Sequence, residues 1–87
     1  MKSVHTDRYS LFLRELVSAR KRAGLTQQDL ASRLGRPQSY VSKYEQGERR
    51  LDVIEFLDIA HIISLDPGEV IHGLEGNEKQ TMDGRVL

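Results

Sequence analysis

Three glycines, Gly24, Gly35 and Gly47, interrupt the middle of this 87-residue chain at intervals of eleven and twelve residues. A glycine that follows a run of helical periodicity commonly ends the helix in the left-handed conformation. The segments between these glycines therefore have room for helices of only about two turns, which are marginal in water unless other elements pack on them. The spacing predicts an all-α domain in which short helices are held by the rest of the fold.

Apolar residues recur at three- and four-residue steps in five segments, as expected for amphipathic helices. Thr26, Asp52 and Asp66 are suitable N-cap residues, and Pro37 fits at a helix start because its missing N–H costs nothing there. Their apolar faces predict one shared core, with Val53 and Leu57 beside the apolar face of the fourth helix. Val70, Ile71 and Leu74 of the fifth helix are expected to cover the end of the core. The predicted helices are approximately residues 7–23, 26–34, 38–46, 53–63 and 66–74.

The segment that follows Leu74 is polar and contains glycine, which predicts that the folded domain ends there. We expect one domain over residues 1–74 and a flexible polar tail over residues 75–87. Cysteine is absent, so disulfides and thiolate zinc sites are excluded. The longest apolar runs are far shorter than the ~18 residues of a membrane helix, and the first ten residues lack the apolar centre of a signal peptide. These features favour a cytoplasmic protein that contacts no membrane.

Formal charge is balanced over the chain but is segregated along it. Residues 14–50 contain nine basic and four acidic residues, whereas residues 51–87 contain two basic and eight acidic residues. A basic middle can meet phosphates while an acidic end faces away. Charge blocks that arise by chance on a solvated surface would look the same, so the asymmetry alone does not decide between these interpretations.

The stretch GLTQQDLASRLGRPQSYVSKYEQGERRLD resembles the helix-turn-helix of the phage-repressor family, also called the XRE family. Leu25-Thr26-Gln27 opens the first motif helix, Gly35 occupies the turn, and Tyr44-Glu45-Gln46-Gly47 closes the second helix. The resemblance covers approximately residues 10–74. It implies a five-helix, lambda-repressor-like DNA-binding domain whose second motif helix enters the major groove.

The polar face of this second helix is the candidate base-reading surface, because Val41 and Tyr44 are expected to point into the core. Glutamine can donate and accept together, which suits adenine, and lysine suits guanine. The resemblance places Gln38, Ser39 and Lys43 at the main base-contacting positions, although a solvated helix face would have the same composition. The predicted base-reading residues are Gln38, Ser39, Ser42 and Lys43.

Phosphate contacts are expected to frame that helix. Gln27 lies at a helix N-terminus, which favours anions, and Tyr40 is expected to be partly outward with its hydroxyl available. The resemblance also implies a structural ion pair between Arg20, which lies on an apolar helix face, and Glu45. The predicted phosphate-binding residues are Gln27, Tyr40, Arg49, Arg50 and Arg36.

No enzyme, cofactor or metal site is expected. His61 and His72 lie on different predicted helices, and His61 is expected to be half-buried among isoleucines. The carboxylates of Asp52, Glu55 and Asp58 are explained by a helix cap and a solvated face.

The favoured function is a sequence-specific regulator of transcription, a repressor that binds double-stranded DNA with a palindromic operator as a homodimer. We place its dimer surface around residues 66–74 and the tail, because Ile62, Leu65 and Val70 are not all expected to be buried within one subunit. The alternative is an antitoxin that represses its own operon while its tail binds a toxin protein. A scaffold that has lost DNA binding is disfavoured by the basic middle of the chain and by Gln27 and Gln38.

Overall fold

The computed structural model describes residues 7–82, with side chains through residue 76. Within this range the chain is helical and contains no strand, so the prediction of an all-α domain is confirmed. Each boundary up to the start of the last helix agrees with the sequence interpretation to within about two residues. The helices are α1 (Asp7–Arg22), α2 (Gln27–Leu34), α3 (Gln38–Glu45), α4 (Val53–Ile62) and α5 (Pro67–Met82).

Two of the helices begin with reciprocal hydrogen bonds between the N-cap residue and the third helical residue. At α2, Thr26 Oγ1 accepts from the backbone N–H of Asp29 at 3.0 Å, and the Asp29 carboxylate accepts from the backbone N–H of Thr26 at 2.9 Å. Asp52 and Glu55 repeat this arrangement at α4. The backbone hydrogen bond from Thr26 also lowers the pKa of Asp29. The caps predicted at Thr26 and Asp52 are therefore confirmed.

The turn between α2 and α3 depends on Gly35, which adopts the left-handed conformation with a φ of 71°. Its N–H donates to the Ser32 carbonyl at 3.1 Å, and the N–H of Arg36 reaches back to the Ala31 carbonyl at 2.9 Å. These bonds satisfy carbonyls that would otherwise be left without partners at the end of α2. A side chain at position 35 would be strained in this conformation, so the turn explains the glycine.

A single hydrophobic core receives side chains from all five helices. Leu16, Leu30, Val41, Tyr44 and Ile59 are its largest fully buried members. α2 and α3 pack against each other, α1 packs on α3 and α4 packs on α2. Ala31 of α2 is completely buried. Helices as short as α2 and α3 have little stability alone, so the burial of these apolar side chains is what stabilises them.

Expectations about four residues of the later helices are wrong. Val53 and Leu57 on α4, and Ile71 on α5, are 63%, 43% and 44% exposed, because they lie on the outward faces of their helices. His61 is exposed rather than half-buried for the same reason.

The segment after Leu74 is helical through Met82, eight residues beyond the predicted helix end. Its polar composition and Gly76 weaken a helix but do not prevent one. Residues 83–87 of the predicted tail lie outside the described part of the chain. The flexibility of the tail stays a prediction.

None of the helices in residues 7–82 combines the length and apolar character that a membrane crossing requires.

Candidate nucleic-acid interface

The helix α3 turns one face to the core and the other to solvent. Val41 and Tyr44 are fully buried. Of the four predicted base-reading residues, Gln38, Ser39 and Lys43 are exposed, and Ser42 is half-buried with its hydroxyl donating to the Ser39 carbonyl at 3.3 Å. The structure therefore brings these polar side chains to one outward surface, while their contact with bases stays a prediction.

The position of α3 is fixed by an ion pair between Arg20 of α1 and Glu45 at the end of α3. Arg20 Nε donates to Glu45 Oε2 at 2.7 Å, and a terminal guanidinium nitrogen donates to Oε1 at 3.1 Å. The expected pair is therefore present, with its side chains only 9% and 6% exposed. Its hydrogen bonds raise the pKa of Arg20, which stays charged.

The Arg20 guanidinium has a second partner in the loop before α2. Its other terminal nitrogen donates to the Leu25 carbonyl at 2.8 Å. One buried side chain thus connects α1, the end of α3 and the entry to α2, and the planar guanidinium provides the geometry for all three contacts. The neighbouring Tyr44 hydroxyl is also buried and has no hydrogen-bond partner among the described residues. Burial raises the pKa of Tyr44, so the phenol stays neutral.

Two glutamines extend this network to the surface. Gln27 Nε2 donates to Glu45 Oε1 at 2.9 Å, and Gln27 Oε1 accepts from Gln38 Nε2 at 3.2 Å. Gln27 is half-buried and Gln38 is exposed. The predicted phosphate-binding and base-reading glutamines therefore contact each other, and Gln27 retains one side-chain N–H and its helix N-terminal position for an anion.

Tyr40 differs from its predicted outward position, because only 8% of the residue is exposed. The guanidiniums of Arg36 and Arg49 lie over its ring, at 4.3 Å and 4.7 Å from the centroid. Both distances are within the range of cation–π attraction. Burial raises the pKa of the Tyr40 hydroxyl. Helical periodicity over eight residues did not reveal this burial, since the two arginines that lie over the ring come from outside α3.

Glu55 joins the same cluster, a role that the sequence analysis missed. Its carboxylate accepts two hydrogen bonds from Arg49, at 3.0 Å and 2.8 Å, and lies 3.7 Å from the Arg36 guanidinium. The Arg49 hydrogen bonds and the backbone N–H of Asp52 lower the pKa of Glu55 to about 2. The sequence explained Glu55 only as a helix cap, and its six-residue separation from Arg49 matches no regular helical contact.

The last predicted phosphate ligand, Arg50, is exposed and lies over the Tyr9 ring of α1 at 4.1 Å from the centroid. The stack holds the side chain while its charge remains accessible to solvent. The segments that flank α3 thus contain three arginines, Arg36, Arg49 and Arg50, and each of them lies over a tyrosine ring. Their binding to phosphate stays a prediction.

Histidine, cysteine and carboxylate side chains form no group suited to a metal ion within the described residues. His72 Nδ1 lies 3.5 Å from the Glu75 carboxylate on the exposed surface of α5.

Comparison with known proteins places most of this domain in one family. A helix-turn-helix family profile matches residues 16–70. An XRE-family like protein from Pseudomonas syringae pv. tomato str. DC3000 is similar in structure, with a TM-score of 0.76 and 55% sequence identity. The match covers 79% of the present chain and 84% of that protein. No curated protein matches the chain.

Replacing Arg20 with alanine is expected to lower the free energy of unfolding by about 3–5 kcal/mol, because Glu45 would remain buried without its counter-charge. Urea denaturation followed by circular dichroism measures this loss. Arg14→Ala, an exposed change on the same helix, is the matched control and is expected to stay within about 0.5 kcal/mol of wild type. Equal stability of the two variants would contradict the structural role of the ion pair.

The Glu55 carboxylate predicts a contribution to stability that depends on pH. Its pKa is lowered from 4.5 to about 2, so the contribution is complete above 4.5 and is lost as the pH falls toward 2. Glu55→Gln is therefore expected to flatten the acid limb of a plot of unfolding free energy against pH. Glu15→Gln, at an exposed site on α1, is expected to preserve the wild-type slope. An unchanged slope in Glu55→Gln would show that the carboxylate contributes nothing.

Proposed function

Because the chain belongs to the XRE family of helix-turn-helix proteins, whose members are DNA-binding regulators, we propose that it is a sequence-specific repressor that binds a palindromic operator as a homodimer. Double-stranded DNA is the proposed ligand, with α3 as the helix that enters the major groove. One observation carries this proposal: Gln38, Ser39 and Lys43 are exposed on α3, while the opposite face of α3 packs in the core and its last residue is held by the Arg20 ion pair.

The arginines on either side of α3 support phosphate binding. Arg36 precedes the helix and Arg49 and Arg50 follow it, so a backbone that passes along α3 would meet positive charge at both ends. Glu55 neutralises part of this charge, and the Arg36–Arg49–Glu55 group retains a net charge of one positive unit. Contacts of this kind position a protein on a duplex without reading its sequence.

The homodimer is proposed from interface size and symmetry. A single module of this size buries little DNA surface, and two copies double the number of base contacts on a two-fold symmetric site. α4 also has three exposed apolar residues, Val53, Ile54 and Leu57. Leu57 lies four residues after Val53 and three after Ile54, so the three side chains form one apolar surface that a second copy would cover. The dimer surface expected around residues 66–74 was based on Ile62, Leu65 and Val70. Ile62 and Leu65 are half-buried and Val70 is buried within one subunit, so these residues do not support a dimer surface there.

Selection of bound sites from random duplexes tests the proposal directly. Wild-type protein is expected to select two inverted half-sites with centres about one helical turn apart, roughly 10 base pairs. Sedimentation of the selected complex should give two protein chains for each duplex. Failure to enrich any sequence would contradict sequence-specific binding, and a single unpaired site would contradict the homodimer.

Replacing Gln38 with alanine is expected to weaken binding to the selected site by about 1–3 kcal/mol and to relax preference at one base pair of each half-site, because the side chain can no longer pair with a base edge. Fluorescence anisotropy with a set of single-base-pair variants measures both effects. Gln28→Ala on α2 is the control, since this exposed glutamine contacts Ser32 rather than α3. Wild-type preference in Gln38→Ala would contradict the assignment of this residue to base reading.

Replacing Arg50 with alanine is expected to weaken binding to all duplexes alike and to reduce the slope of log affinity against log salt by about one, because one phosphate contact is lost. Arg50→Lys retains the charge without the guanidinium stack and is expected to keep the wild-type slope. A sequence-dependent loss in Arg50→Ala would instead indicate a contact with a base.

A further inference from the structure

Side chains from four successive segments of the chain meet at Tyr40. Arg36 belongs to the turn before α3, Tyr40 to α3 itself, Arg49 to the loop after it and Glu55 to α4. Both arginines lie over the tyrosine ring, and the Glu55 carboxylate lies 2.8 Å from Arg49 and 3.7 Å from Arg36. We call these four residues the Tyr40 cluster. The two segments that flank α3 are therefore linked through one ring and one carboxylate.

The hydrogen bonds of Arg49 leave one edge of its guanidinium open. A guanidinium has five N–H groups, two on each terminal nitrogen and one on Nε. Nη1 donates to Glu55 Oε1 and to the Arg50 carbonyl, both at 3.0 Å, and Nη2 donates to Glu55 Oε2 at 2.8 Å. The Nε–H and the second N–H of Nη2 make no hydrogen bond to a described residue. These two groups form the Nε edge, and they point the same way, as two-oxygen binding of a phosphate requires.

Glu55 is itself held in one direction. Its Oε1 also accepts from the backbone N–H of Asp52 at 3.0 Å, within the capping box of α4. The Glu55 side chain is only 15% exposed, whereas the Arg49 side chain that it holds is 38% exposed. A carboxylate fixed at a helix N-terminus thus determines how the more accessible guanidinium is turned.

We propose that Glu55 is a positioning residue for DNA, because it turns Arg49 so that the Nε edge binds one backbone phosphate. The inference rests on the proposed function. Arg36 adds positive charge at the same place: its nearest nitrogen is 3.7 Å from Glu55, beyond hydrogen-bonding distance, and its N–H groups make no hydrogen bond to the described residues. The Tyr40 cluster is in this view a single phosphate site, and Glu55 is the part of it that touches no DNA.

Charge alone predicts the opposite role for Glu55. A carboxylate close to a phosphate site repels the duplex, so removal of its charge should strengthen binding. If Glu55 positions Arg49, the same removal should weaken binding in spite of the added positive charge. The two roles therefore differ in the sign of one measurable effect.

The test compares Glu55→Gln with Glu48→Gln, two replacements that each remove one negative charge beside Arg49. Glu48 is exposed, and its carboxylate makes no hydrogen bond or ion pair with the described residues. Glutamine at position 55 can still cap α4, but it cannot accept from both terminal nitrogens of Arg49.

Fluorescence anisotropy at one salt concentration measures the affinity of both variants for the selected duplex. Glu55→Gln is expected to bind roughly tenfold more weakly than wild type, the effect of one lost hydrogen bond to a charged group. Glu48→Gln is expected to bind more tightly, because it removes repulsion only. Tighter binding by both variants would overturn the inference.

Uncharged phosphates separate positioning from a loss of stability. In a series of duplexes, one phosphate at a time is replaced by a methylphosphonate, and the phosphate that Arg49 binds is the one at which Arg49→Ala has no further effect. Glu55→Gln is expected to lose its tenfold effect at that same phosphate and to keep it at the others. An equal loss on every duplex would show that Glu55 acts only on folding and would overturn the inference.

The orientation of Arg49 is also measurable without DNA, by nuclear magnetic resonance of the free protein labelled with 15N. Hydrogen bonds to Glu55 hinder rotation of the guanidinium, so Arg49 is expected to give separate signals for its two terminal nitrogens. Exposed Arg33 on α2 is the control and is expected to give one averaged signal. Glu55→Gln is expected to average the Arg49 signals, and an averaged Arg49 signal in wild type would overturn the inference.

The outcomes distinguish this inference from the function on which it rests. Wild-type protein that selects a duplex, together with a Glu55→Gln effect that is the same at every phosphate, would leave sequence-specific DNA binding intact and remove only the positioning role. Wild-type protein that binds no duplex would overturn the proposed function, and the role of Glu55 in DNA binding with it.

Discussion

A guanidinium buried in α1 binds the last residue of α3 and the carbonyl that precedes α2, so three elements meet at one side chain. Desolvating an arginine and a glutamate is costly, and the cost is offset only when their hydrogen bonds are well formed. Arg20 uses three of its nitrogens in this way. The angle between the two short helices therefore depends on a polar interaction whose geometry is far more directional than apolar contact alone.

Directionality matters here because α2 and α3 are only eight residues long. Leu30, Ala31, Val41 and Tyr44 bury enough surface to hold them, but apolar packing tolerates small rotations that would redirect every outward side chain. The capping box of α2 and the left-handed Gly35 fix the beginning and the end of that helix. The ion pair then fixes the end of α3, so both helices have defined positions despite their length.

Sequence reasoning located the helices because caps, glycines and apolar periodicity act over a few neighbouring residues. Thr26, Asp52 and Gly35 each mark a boundary whose chemistry is local. The Arg20–Glu45 pair was accessible through the family resemblance, since a charged residue on an apolar face requires a partner. The burial of Tyr40 and the pairing of Glu55 with Arg49 were not, because both depend on how the loop after α3 folds back over the helix.

The apolar exposure on α4 shows a second limit of sequence reasoning. Val53 and Leu57 fit the periodic pattern of a buried stripe as well as Phe56 and Ile59 do, yet only the latter pair faces the core. A helix with apolar residues on several sides gives no unique inward face. Three-dimensional packing decides the orientation, and it leaves part of the apolar surface of α4 exposed.

The contact between Gln27 and Gln38 also affects the entropy of recognition. A long polar side chain on a surface ordinarily samples many rotamers, and ordering one on binding costs about 0.5–1.5 kcal/mol. Gln38 is already restrained by its hydrogen bond across the helix–helix contact, so part of that ordering occurs during folding. The surface of α3 is in this sense preorganised, and a ligand that fits it meets a side chain with less conformational freedom left to lose.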